Sequence, residues 1–148
     1  MAFGYDNVPA QGIDGVGKVF QFPIAAPAPG VGGQFVVGEN FAFEPLTILF
    51  LFTASAAVAN RIASLIVTSP AGIMWRHFDF VAITANQAIT VAFGQGFGAL
   101  NNAGNTHGIM LPRFIAPPGT TFDVSANLID AADQLSAILF SGLVYPLA

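Results

Sequence analysis

Residues 46–61 read LTILFLFTASAAVANR, and the fold turns on what the first eight of them do. A helix that crosses the hydrocarbon core of a bilayer takes about 20 apolar residues. Here the uncharged run stops at Glu44 and Pro45 on one side and at Asn60 and Arg61 on the other, which is too short for a comfortable span. Thr47, Ile48, Phe50, Phe52 and Thr53 are β-branched or aromatic types suited to a pleated surface, and Pro45 sits where a strand can begin. The stretch therefore reads as a strand buried on both faces, and no membrane partner is expected. The opening MAFGYDNVPAQGIDG has no basic region followed by an apolar block, so no secretory signal is expected either.

Outward from this strand the same pattern repeats. Further strands are expected over 18–24, 35–37, 42–53, 61–68, 73–83, 88–93, 109–115, 121–128 and 135–144. The clearest is TFDVSANL, in which Phe122, Val124, Ala126 and Leu128 alternate with Thr121, Asp123, Ser125 and Asn127. Pro70 and Gly72 in SPAG supply a turn that makes a hairpin of residues 61–83, and APPGTT is a second tight connection. No segment of ten residues or more shows a helical period. Eight or nine short strands imply an all-β protein, an antiparallel β-sandwich of jelly-roll-like form. Residues 18–148 form its single domain. Residues 1–17 are an N-terminal arm, readable either as a frayed terminus or as an arm laid across a neighbouring subunit through Phe3, Tyr5 and Ile13. The uncharged Gly/Asn stretch from Gly94 to Gly108 is expected as a long loop.

Charge is the informative part of the composition. Charged residues make up 8% of the 148, against about 25% in an ordinary soluble domain. Twelve charges (four Lys and Arg, eight Asp and Glu) over a folded surface of about 7,000 Å² leave one per roughly 600 Å². So bare a surface implies cover by other protein chains, since solubility rests on many mixed charges. The net charge of −4, with only Lys18, Arg61, Arg76 and Arg113 positive, argues against direct nucleic-acid binding, which needs clustered cations. There is no cysteine, so disulfides and thiolate metal sites are excluded.

The candidate chemistries fail one by one. Gly12, Gly17 and Lys18 in GIDGVGK match the spacing of a phosphate-binding loop, but Val19 stands where a Ser or Thr is needed and VFQFPI continues as a strand. His77 and Asp79 are two residues apart and face one side of a strand, without a nucleophile or third member. His107 lies in the Gly/Asn stretch as a solvated imidazole. Asp130 and Asp133 are too few carboxylates for calcium and are read as capping the turn before the last strand. Two separated histidines give zinc no site. No catalytic residue, metal or cofactor is expected.

TASAAVANRIASLIVTSPAG, then LPRFIAPPGTTF, then DAADQLSAILFSGLV resembles a group of small tailed-phage virion proteins over about residues 46–144. The carriers are Ala59, Asn60 and Arg61 opening a strand, a turn region with Leu111, Pro112, Pro118 and Gly119, and a last strand entered through Asp133, Gln134, Ser136 and Ala137. The chain departs from that pattern in its Gly/Asn insertion and its apolar tail YPLA. The resemblance implies a non-enzymatic β-sandwich subunit made in the host cytoplasm and built into the virion, as a decoration (cement) protein on the capsid exterior. Its partners would be its own copies, expected as a homotrimer, and the major capsid protein or another virion protein. A neck, tail or fibre-base component and a carbohydrate-binding sandwich are the alternatives. Asn60, Arg61, Asp133 and Gln134 carry over as architectural or interface positions. Arg61 and Asp133 at two strand starts would pair, with Asn60 and Gln134 satisfying nearby backbone. Phe35, Phe41, Phe43, Phe93, Phe97 and Phe114 are expected as core or contact aromatics.

Overall fold

The computed structural model describes residues 18–96 and 105–147. The arm expected over 1–17, Phe97 and the middle of the Gly/Asn stretch lie outside the described residues. Those described form strands β1 (Lys18–Ile24), β2 (Gly33–Val36), β3 (Phe41–Thr53), β4 (Arg61–Ser69), β5 (Gly72–Ile83), β6 (Ala88–Gly94), β7 (Thr106–Met110), β8 (Thr121–Asn127) and β9 (Gln134–Pro146), with no helix. They build two facing sheets, β1-β9-β3-β6-β7 and β2-β8-β4-β5, a β-sandwich. The pairing is nested: β1 with β9, β2 with β8, β3 with β6 and β4 with β5 are all antiparallel. The exception is β7, which runs parallel to β6, so the sandwich is not antiparallel throughout.

Local chemistry explains most boundaries. The β4–β5 hairpin closes through Pro70 and Ala71, with Gly72 at φ 129°, a backbone that side chains disfavour. β8 alternates as its sequence dictates, with Phe122, Val124 and Ala126 buried. β7 begins at Thr106, inside the stretch read as a loop, and ends at Met110 rather than Ile115 because Pro112 cannot donate to a ladder. β3 sits in the middle of its sheet between β9 and β6. Ile48, Phe50 and Phe52 face the core and are fully buried, but Leu49 and Leu51 on the other side are only half-buried. The strand is thus covered on one face and partly open on the other, which corrects the two-sided burial expected of it.

The core is aromatic at one end. Phe35 lies 4.9 Å from Phe22, 5.0 Å from Phe140 and 5.2 Å from Phe43, ring centre to ring centre. Such ring pairs are worth about 0.5–1.5 kcal/mol beyond the area they bury. Phe41 and Phe93 are buried as well, and Phe114 packs against this core. Gly142 lets β9 pass here, because a Cβ on it would lie 2.2 Å from the Glu44 carbonyl oxygen and 2.6 Å from the Phe43 ring.

Candidate functional site

The connections that precede β4 and β9 meet at one end of the sandwich, and they bring Arg61 and Asp133 together. Both side chains are fully buried. Arg61 Nε donates to Asp133 Oδ2 at 2.9 Å and Nη2 donates to Oδ1 at 3.0 Å, the planar fork that arginine matches to carboxylate. The remaining capacity of both groups is filled by the loops. Arg61 Nη1 donates to the carbonyls of Ala57 and Ala59, and Nη2 also to Ser55 Oγ. Asp133 accepts the backbone N–H groups of Ser55 at 2.8 Å and Asp130 at 2.7 Å. Burial pushes the Asp133 carboxyl up, and the Arg61, Asp130 and Ser55 donors outweigh it, so the group is held at about 2.

Asp130 accepts from the Ala132 N–H and the Ser55 hydroxyl, so the two acids cap their turn. Gln134 Nε2 donates to the carbonyls of Pro27 and Leu135. Asn60 is exposed and makes no side-chain hydrogen bond to this cluster among the described residues.

A second acid joins the sheets at their open edge. Between the pairs Ile62↔Ala82 and Ser64↔Phe78, β5 advances four residues while β4 advances two. This bulge sits at Asp79, whose Oδ2 hydrogen-bonds His107 Nδ1 on β7. His107 is 4% exposed and Asp79 7%; the solvated imidazole expected at 107 is instead a buried strand residue. Its position follows the alternation of β7, where His107 and Ile109 turn inward. His77 stacks on Trp75 at 5.5 Å and meets Phe93 edge-on. Burial pushes its imidazole below the usual range, against the pull of the Asp79 charge. Among the described residues no group of three or more His, Asp or Glu is placed to hold a metal ion. No helix there is long and apolar enough to cross a membrane.

A third acid is buried on the outer side of the five-stranded sheet. Glu44 is 2% exposed. It accepts from Tyr145 Oη at 2.7 Å, Arg113 Nε at 2.8 Å and Gln95 Nε2 at 3.4 Å. Burial pushes its carboxyl up, and these donors more than offset it, leaving it below the usual range.

Beside Glu44 and the exposed Arg113 that pairs with it, that outer face carries a set of apolar side chains. Val19 of β1, Leu139 and Leu143 of β9, Leu49 and Leu51 of β3 and Ala92 of β6 all stand there half-buried. They sit side by side in the ladders Val19↔Leu143, Leu139↔Leu49 and Leu49↔Ala92. Sequence reading took β3 for a doubly covered strand and so missed this face. Its signal was the apolar outer positions shared by ILFLF and ILFSGLV. Compared with known proteins, the chain matches no family model, no curated protein and no solved structure.

Proposed function

We propose that the chain is a non-enzymatic structural subunit of a tailed-phage virion, most specifically a decoration protein that assembles as a homo-oligomer on the capsid exterior. The observation that carries this reading is where the charges go. Among the described charged residues, Glu44, Arg61, Asp79 and Asp133 are buried, and Arg113 is engaged by Glu44. The exposed surface is therefore barer than the composition implies, the condition of a subunit whose working surface is covered by other chains. The nested pairing supports a jelly roll, because folding one long antiparallel hairpin into two sheets gives that order once β7 is set aside. The ordered motifs around Arg61, Pro118 and Asp133 support the virion assignment, with the major capsid protein as the lattice partner.

The test is to separate phage heads from tails and probe both fractions for the chain. Recovery with heads, and release from them with retention of the coat, is the expected result. Recovery with tails or necks overturns the decoration role, and absence from the particle overturns the virion assignment.

A further inference from the structure

We infer that the loop end of the sandwich around Arg61 is the surface that docks on the coat, with Val58 and Leu128 as apolar knobs for a concave, uncharged pocket of the major capsid protein. The inference deepens the decoration reading above and rests on it. Four connections meet at this end, 25–32, 54–60, 84–87 and 128–133. Hydrogen bonds tie them to one another: Gly30 N donates to the Asp133 carbonyl at 2.7 Å, Asn86 N to the Ser55 carbonyl at 3.0 Å and Ser55 N to Asp133 Oδ1. Their charged residues are Asp130 and Asp133 alone. Asp133 is buried, and half-buried Asp130 is turned onto Ser55 and Ala132. The opposite end differs, since its connections present exposed Glu39 and Arg113.

The apolar side chains at the Arg61 end are held out by the fold. Arg61 Nη1 donates to the carbonyls of Ala57 and Ala59, one on each side of Val58. Val58 is 98% exposed, the most of any large apolar side chain among the described residues. Leu128 is 63% exposed at φ 58°, a left-handed backbone that costs any residue with a Cβ and persists only where the surroundings impose it. A buried ion pair and a strained leucine thus fix two knobs in water, and order imposed before contact removes a cost from binding.

Area selects the occupant. Val58, Leu128 and Val31, which is 52% exposed on the adjoining loop, offer on the order of 200 Å² of apolar surface. A stable interface takes about 800 Å² from each partner. Convex tips of two copies meeting end to end bury less still, so this end does not make a dimer by itself. A concave pocket takes the tips whole. A homo-oligomer then sets several such contacts on one repeating lattice, where each contact raises the effective concentration of the next.

The test sediments the purified full chain with phage heads from which the chain has been released. Val58→Asp is expected to weaken retention by on the order of tenfold, with circular dichroism and oligomer mass unchanged. Met110→Asp, at a side chain 62% exposed near the opposite end, should bind as wild type. Leu128→Gly separates docking from folding, because glycine adopts φ 58° without strain. Its urea midpoint is expected to hold or rise while its retention falls, which a merely structural role would not produce. Retention of Val58→Asp and Leu128→Gly at the wild-type level, or loss through Met110→Asp alone, overturns the loop-end inference and leaves the decoration role. A Val58→Asp chain whose oligomer mass drops makes the knob a contact between copies and overturns it as well. Wild-type chain that does not return to the heads overturns both readings.

Discussion

Two buried side-chain pairs tie the sheets of this sandwich together, and they are built on opposite principles. At one end Arg61 and Asp133 are fully buried, joined by two hydrogen bonds and surrounded by loop donors and acceptors. At the open edge Asp79 and His107 meet across β5 and β7 through one hydrogen bond, beside a bulge. The first organises two loops around itself; the second fastens two edge strands. Removing a partner at the first site disturbs backbone groups well beyond the pair, whereas at the second the loss is confined to the contact.

The largest effect should therefore come from Arg61→Met, which leaves Asp133 buried without its cation. Removing one partner of a buried pair costs about 3–5 kcal/mol, read as a lowered urea midpoint at unchanged slope. Replacing both partners by apolar residues often restores stability in buried pairs. It should not do so here, because Asp133 also holds the N–H groups of Ser55 and Asp130. Arg61→Met with Asp133→Leu is expected to remain destabilised by on the order of 2 kcal/mol, and full recovery would show that the loop bonds carry no weight.

Acid reaches the same site without mutation. The folded Asp133 carboxyl sits at about 2, below its ordinary 3.8. Its contribution is then complete above pH about 4 and is lost as the pH falls towards 2. Wild type should lose stability through that window more steeply than Asp133→Asn, as read by thermal midpoints at each pH.

Asp79→Asn comes next. An amide retains one hydrogen-bonding oxygen but removes the charge facing His107, at a cost of about 1–3 kcal/mol for a weakened buried partner. The loss should appear as faster amide exchange in β5 and β7, with β3 and β9 unaffected. Exchange quickening across both sheets would mean that the edge pair holds the whole sandwich.

The two pairs also differ in how far the sequence announced them. Arg61 opens β4 and Asp133 immediately precedes β9, and in a chain with four cations an aspartate at such a position has few partners to choose from. That pair was legible from the two strand-entry motifs and the scarcity of charge, the hairpin from its turn residues Pro70 and Gly72, and the alternation in β8 from strand periodicity. Asp79 and His107 depend on two things that periodicity does not encode. One is a bulge that re-aims a side chain; the other is a parallel partner for β6 drawn from a stretch rich in Gly and Asn. The half-open side of β3 escaped for a related reason, since an apolar run does not say whether its second cover comes from the same chain or from another.

Glu44 is the smallest test and sharpens the comparison, because it is as buried as the inter-sheet acids but lies on the outer side of a single sheet. Its cation, Arg113, is 76% exposed, so water screens that partner and little stability rests on it. Tyr145 is the better anchor: its hydroxyl donates to Glu44 Oε2 at 2.7 Å from the neighbouring strand. Tyr145→Phe should cost about 1 kcal/mol, the net worth of a hydrogen bond to a charged group near a surface, and Arg113→Ala distinctly less. If Arg113→Ala proves the costlier change in urea unfolding, the ranking by enclosure fails and charge alone governs what these buried acids contribute.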